Sequence, residues 1–146
     1  MNTTLFLLFS ILLAIPQPNK IKTSGPDSWR IEHNGNLKLY ASTENPAKNV
    51  ITLKKADFKK AGALVIGYKE MSREGGWQRS ITLFDEKDNE LIKEEGALLK
   101  VKNAKLASLA ASYKTIKIYT WALPTDPALA ATVRIRRVHL CTILIK

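Results

Sequence analysis

His139 and Cys141 stand two residues apart near the end of the chain. In an extended strand they project from one face, close enough for a thiolate and an imidazole to pair. A nucleophilic thiol also needs an orienting group and a place for the developing oxyanion, and no residue pattern marks either. The neighbours Val138, Leu140 and Ile143 are apolar, which raises a thiol pKa, so Cys141 is expected to be an inert, buried small hydrophobe. It is the sole cysteine of the 146 residues, which excludes an intramolecular disulfide and every multi-cysteine metal site. The other histidine, His33, lies in a distant turn, and no His-x-x-x-His or carboxylate-histidine spacing supports a metal. Asp85, Asp88, Asn89 and Glu90 offer oxygens but not in the order of a calcium loop, and they read as a solvated turn. No catalytic residue, metal or cofactor is assigned.

Binding chemistry has better material. Lys117, Tyr119 and Trp121 alternate with Ile116 and Ile118, so in a strand the cation and the two rings share a face able to stack a sugar or a base. The competing expectation makes the two rings core and turns the isoleucines toward a second layer. Arg134 and Arg136, two apart, add guanidinium forks suited to bidentate contact with carboxylate, sulfate or phosphate. Lys117, Tyr119, Trp121, Arg134 and Arg136 form the candidate ligand surface. Charge supports it: residues 100–146 hold nine basic groups and one acid, Asp126, whereas the preceding residues hold fourteen and twelve. A basic third of this kind concentrates anions near it. An acidic glycan or an envelope protein is the expected partner; nucleic acid is not. Glu32, Glu70 and Glu74 are present as carboxylates, but spacing alone cannot pair them for glycoside hydrolysis.

The elements that must position these residues read as strands. Trp29-Arg30-Ile31-Glu32 and Leu37-Lys38-Leu39-Tyr40 flank His33-Asn34-Gly35-Asn36, a hairpin signal. A two-residue Asn34-Gly35 turn pairs Ile31 with Lys38. A three-residue loop, His33 to Gly35, pairs Ile31 with Leu37 and Trp29 with Leu39, and it is preferred because it separates apolar from polar faces. Val50–Leu53, Ala63–Lys69, Trp77–Phe84, Leu91–Lys93 and Thr115–Trp121 follow as strands, with Ala63–Lys69 central. A helical turn is expected over Lys54–Lys60. A helix is expected over Ala104–Ser112, capped by Asn103, and one turn follows Asp126-Pro127. Thr132–Lys146 alternates throughout and reads as a last strand that completes a sheet. Straight, it would span more than about 40 Å, at about 3.3 Å per residue. A bulge near Arg136-Arg137 would keep Val133, Ile135, Val138 and Leu140 on one side.

About eight strands with one or two short helices predict an all-β chain, an antiparallel β-sandwich or jelly roll. The domain is expected over 29–146, after an extended lead-in over 20–28. Leu5 to Ile15 forms an apolar run too short for a bilayer, and residues 1–19 read as a signal peptide, which places the mature protein in the secreted or periplasmic space without a membrane span. The leading expectation is an exported, non-enzymatic binding module for an anionic or carbohydrate ligand or an envelope partner. The alternatives are a glycoside-directed hydrolase with scattered carboxylates, and an assembly subunit that pairs its terminal strand with a partner's edge.

Overall fold

A computed structural model describes residues 25–71 and 75–146. The signal peptide expected over 1–19 and Glu74 lie outside them. Among the described residues nine strands form two sheets: β1 (Ser28–His33), β2 (Asn36–Ala41), β3 (Val50–Leu53), β4 (Ala63–Lys69), β5 (Trp77–Phe84), β6 (Glu90–Glu95), β7 (Leu98–Lys102), β8 (Thr115–Pro124) and β9 (Val138–Ile145). One sheet runs β2-β1-β4-β7 and the other β3-β9-β8-β5-β6. The fold is the expected all-β sandwich. A 3-10 turn covers Lys55–Lys59, and the helices are α1 (Asn103–Ser112) and α2 (Pro127–Ala130).

The two sheets meet through their alternating apolar residues. Ile31, Leu64 and Ile66 from one, and Ile81, Leu83, Ile116, Ile118 and Ile143 from the other, are fully buried in a single cluster. Each such side chain contributes about 1.5–3 kcal/mol by leaving water. Leu106, Leu109 and Ala110 of α1 join Phe58 of the 3-10 turn and close one end of this core. There His33 and Asn103 form a buried polar hub. The Asn103 Nδ2 donates to Asn34 Oδ1 at 2.9 Å, to the Lys60 carbonyl at 2.9 Å and to the Asp57 carbonyl at 3.2 Å, while its Oδ1 lies 3.0 Å from His33 Nε2. Asn103 therefore does not cap α1 as the sequence suggested. It is the first helical residue, and the cap position falls to Lys102 with no side-chain bond. Gly62 admits this hub: a Cβ there would come within 2.1 Å of Asn34 Oδ1.

Four expectations are corrected. First, the hairpin uses the two-residue turn, with Asn34 (φ 53°) and Gly35 (φ 78°) both left-handed. A bulge that leaves Lys38 unpaired restores Ile31 opposite Leu39, so the faces separate without a longer loop. Second, Leu98–Lys102, outside every expected strand, is a strand, short and interrupted by lysines, with Leu99 and Val101 inward against β4. Third, the sheets are not wholly antiparallel, because β3 runs parallel to β9. Fourth, the last strand begins only at Val138. Residues 132–137 leave the sheet after α2, whose N-cap Asp126 accepts from the Ala128 N–H at 2.9 Å.

The bulge in β9 falls later than expected, at Leu140: Ile118 faces Cys141 while Tyr119 faces His139. The Trp29 Nε1 donates to the Leu140 carbonyl at 2.9 Å and holds the kink. The last residue is used as expected, since the Lys146 N–H bonds the Leu53 carbonyl and its own carbonyl accepts from the Lys55 N–H. β9 is flanked by β8 along its length and by β3 over Thr142–Ile145.

Candidate functional site

The β9 bulge also decides the histidine-cysteine pair. By register Cys141 lies with Ile118 on the core face and His139 with Tyr119 on the outer face, so the two are separated by the sheet. Burial pushes the Cys141 thiol up to about 12, the state of an inert core residue. Burial likewise lowers the His139 pKa, with Glu44 opposing and Lys117 adding to the shift. Its Nε2 lies 2.9 Å from Thr142 Oγ1.

Lys117, Tyr119 and Trp121 do share the outer face of the five-stranded sheet, each half-buried, opposite Phe84, Thr82 and Ser80 of β5. The rings are already engaged. Arg137, a residue the sequence reading left aside, lies over Tyr119 at 4.7 Å and over Phe84 at 5.0 Å. Phe84 and His139 meet Tyr119 edge-on at 5.7 and 5.4 Å. Lys93 stands 5.6 Å from the Trp121 ring, and Lys117 pairs with Asp88 at 3.6 Å. Over Tyr119 the Arg137 guanidinium occupies the position a sugar or base would take.

Trp121 and Arg136 come together elsewhere, in a cleft of about 620 Å³ at the end of the sandwich opposite α1. β1 and β4 supply Trp29 and Tyr68, parallel rings 6.2 Å apart. β5 supplies Arg79, whose guanidinium lies 4.2 Å over Tyr68 and donates to Glu70 at 2.5 Å and to Thr120 Oγ1 at 3.2 Å. The Arg79 Nε is buried without a partner among the described residues. The loop after β2 supplies Ser42, Thr43 and Glu44; Glu44 takes Arg136 at 2.7 Å on one oxygen and the His139 N–H at 2.8 Å on the other. Asp27 accepts from the Tyr68 hydroxyl at 2.7 Å and from the Met71 N–H at 2.9 Å. Burial, reinforced by that bond to Asp27, raises the Tyr68 pKa.

Of the five residues expected to form one surface, the cleft gathers two, Trp121 and Arg136. Lys117 and Tyr119 lie further along the same strand, and Arg134 stands exposed outside the cleft lining. The residues missed by sequence reading are Asp27, Glu44, Tyr68 and Arg79. One signal was available: Arg79 sits on the inward parity with Ile81 and Leu83, where an unpaired guanidinium is too costly to bury. Glu32 lies on the far sheet and Glu70 is held by Arg79. In the acidic turn Asp85 accepts from the Lys87 and Asn89 N–H groups and from Asn89 Nδ2, each at 2.8 Å. Among the described residues no cluster of three or more His, Cys, Asp or Glu could hold a metal ion, and no helix is long and apolar enough to cross a membrane.

No family model matches this chain, and no curated protein or solved structure does so either.

Proposed function

We propose that the protein is an exported, non-enzymatic binding module that takes a carbohydrate in the cleft between Trp121 and Arg136. The observation that carries this reading is the make-up of that cleft. Trp121, half-buried and with Lys93 at 5.6 Å from its ring, lines it beside the buried Trp29-Tyr68 stack, and its polar groups are fixed in orientation by one another. A ligand of hydroxyls and apolar ring faces needs that combination, a few placed hydrogen-bonding groups beside aromatic surface. Because Arg79 and Arg136 are each already paired with a carboxylate, the cleft favours a neutral or weakly acidic sugar over a polyanion. Secretion to the periplasm or beyond rests on the leader-like apolar run over 5–15 alone.

The test is calorimetric titration and glycan-array binding with wild type and Trp121→Ala. Millimolar-or-better binding that the substitution weakens about tenfold or more, the loss of roughly 1.4 kcal/mol, supports the reading. Binding unaltered by Trp121→Ala, or no binding to any glycan, overturns it. One observation favours hydrolysis as a second reading: Asp27 and Glu44 line the same cleft. Release of reducing sugar that vanishes in Asp27→Asn and Glu44→Gln would establish that alternative. Both oxygens of each carboxylate are already bonded within the protein, which leaves binding as the preferred reading.

A further inference from the structure

The outer face of the four-stranded sheet carries three of the large apolar residues that stand in water. Leu37, Tyr40 and Leu98 are 60%, 66% and 58% exposed. The register aligns them in two rows across the strands. Tyr40, Arg30, Gly67 and Leu98 form one, and Leu37, Glu32, Val65 and Lys100 the next. Gly67 has no side chain, so the first row is dented by an open trough of about 470 Å³ between the ring and Leu98. Lys69 and Lys102 extend the same face along β4 and β7. The one carboxylate by parity, Glu32, is tied to Arg30 at 3.6 Å. Lys69, Lys100 and Lys102 enter no ion pair among the described residues.

We propose that this face docks the protein on an anionic lipid bilayer. Apolar side chains projecting from a face surrounded by uncompensated lysines match a surface that is apolar below and negative at the headgroups. Lysine stems lie along such a boundary while their ammonium groups remain in water. Protein interfaces, by contrast, are depleted in lysine, which argues against a protein occupant. The face includes neither Trp121 nor Arg136, so this inference stands independently of the sugar reading.

Sedimentation of the full chain with phosphatidylcholine vesicles and with vesicles containing phosphatidylglycerol tests the proposal. The apolar run over 5–15 is common to all proteins compared, so differences between variants report on the sheet face. Binding is expected on the anionic vesicles, weakened about fivefold for each lysine removed in Lys100→Gln/Lys102→Gln. It should weaken also in Leu37→Ser/Leu98→Ser, which leaves the charge unaltered, and remain higher in Lys93→Gln/Lys117→Gln on the other sheet than in the Lys100/Lys102 pair. Circular dichroism confirms that each variant is folded. Binding to the anionic vesicles that is unaltered in Lys100→Gln/Lys102→Gln overturns the proposal, as does equal loss from either lysine pair. Loss on removing lysines but not leucines overturns it too, in favour of a soluble polyanion, and a stable complex with a protein that blocks vesicle binding replaces lipid with that partner.

Discussion

Replacing Asn103 by alanine separates two roles for one residue. If Asn103 merely begins α1, Asn103→Ala should be neutral or should stabilise by a few tenths of a kcal/mol, since alanine is the better helix former. In the hub, the substitution removes both amide hydrogens and the carbonyl oxygen from a site only 2% exposed. The Lys60 carbonyl, Asn34 Oδ1 and His33 Nε2 each lose a bond of 2.9–3.0 Å, and the Asp57 carbonyl loses a longer one. At about 1 kcal/mol net per bond, three good bonds and one weak one give a loss of about 3–4 kcal/mol. Against a domain stability of about 5–15 kcal/mol that is a large fraction. Urea unfolding followed by tryptophan fluorescence measures it as a lower midpoint at unchanged slope. A loss below about 1 kcal/mol would refute the hub as the anchor of that end.

Two further outcomes follow from the titrating groups. Native protein should leave Cys141 unmodified by a thiol reagent at mildly alkaline pH, because its pKa is pushed up to about 12 and it is fully buried, and labelling should appear only on unfolding; rapid native labelling refutes this. His139 has a folded pKa below its ordinary 6.5, so the unfolded chain binds the proton first and stability falls as pH drops below 6.5 toward the folded value. The slope in that window is at most about 1.4 kcal/mol per pH unit. His139→Gln should flatten it, and an unaltered slope in the variant would assign the effect elsewhere.

Alternation made the sandwich legible, because period-two patterning at Trp29–Glu32, Ala63–Lys69 and Thr115–Trp121 dictates which residues meet the core. What escaped depends on single extra residues. Lys38 and Leu140, each the extra residue of a bulge, shift every later side chain by one face, and nothing in the local sequence marks them. The Leu140 shift separated His139 from Cys141. The cleft was half legible: Trp121 and Arg136 carry recognisable chemistry, but Asp27, Glu44 and Tyr68 join them only through the closure of two sheets, over separations no window spans. Asn103 carries the residue type of a cap, but its partners come from two distant segments, the turn at His33-Asn34 and the stretch from Asp57 to Lys60.

The parallel pairing of β3 with β9 sets an order on the making of this molecule. Val50–Leu53 is synthesised early, yet its neighbour across the ladder is Thr142–Ile145. Until those residues leave the ribosome, β8 also lacks one of its two flanks. Contacts so remote in sequence form slowly. A nascent chain of this design stays unclosed at least until β9 has been made.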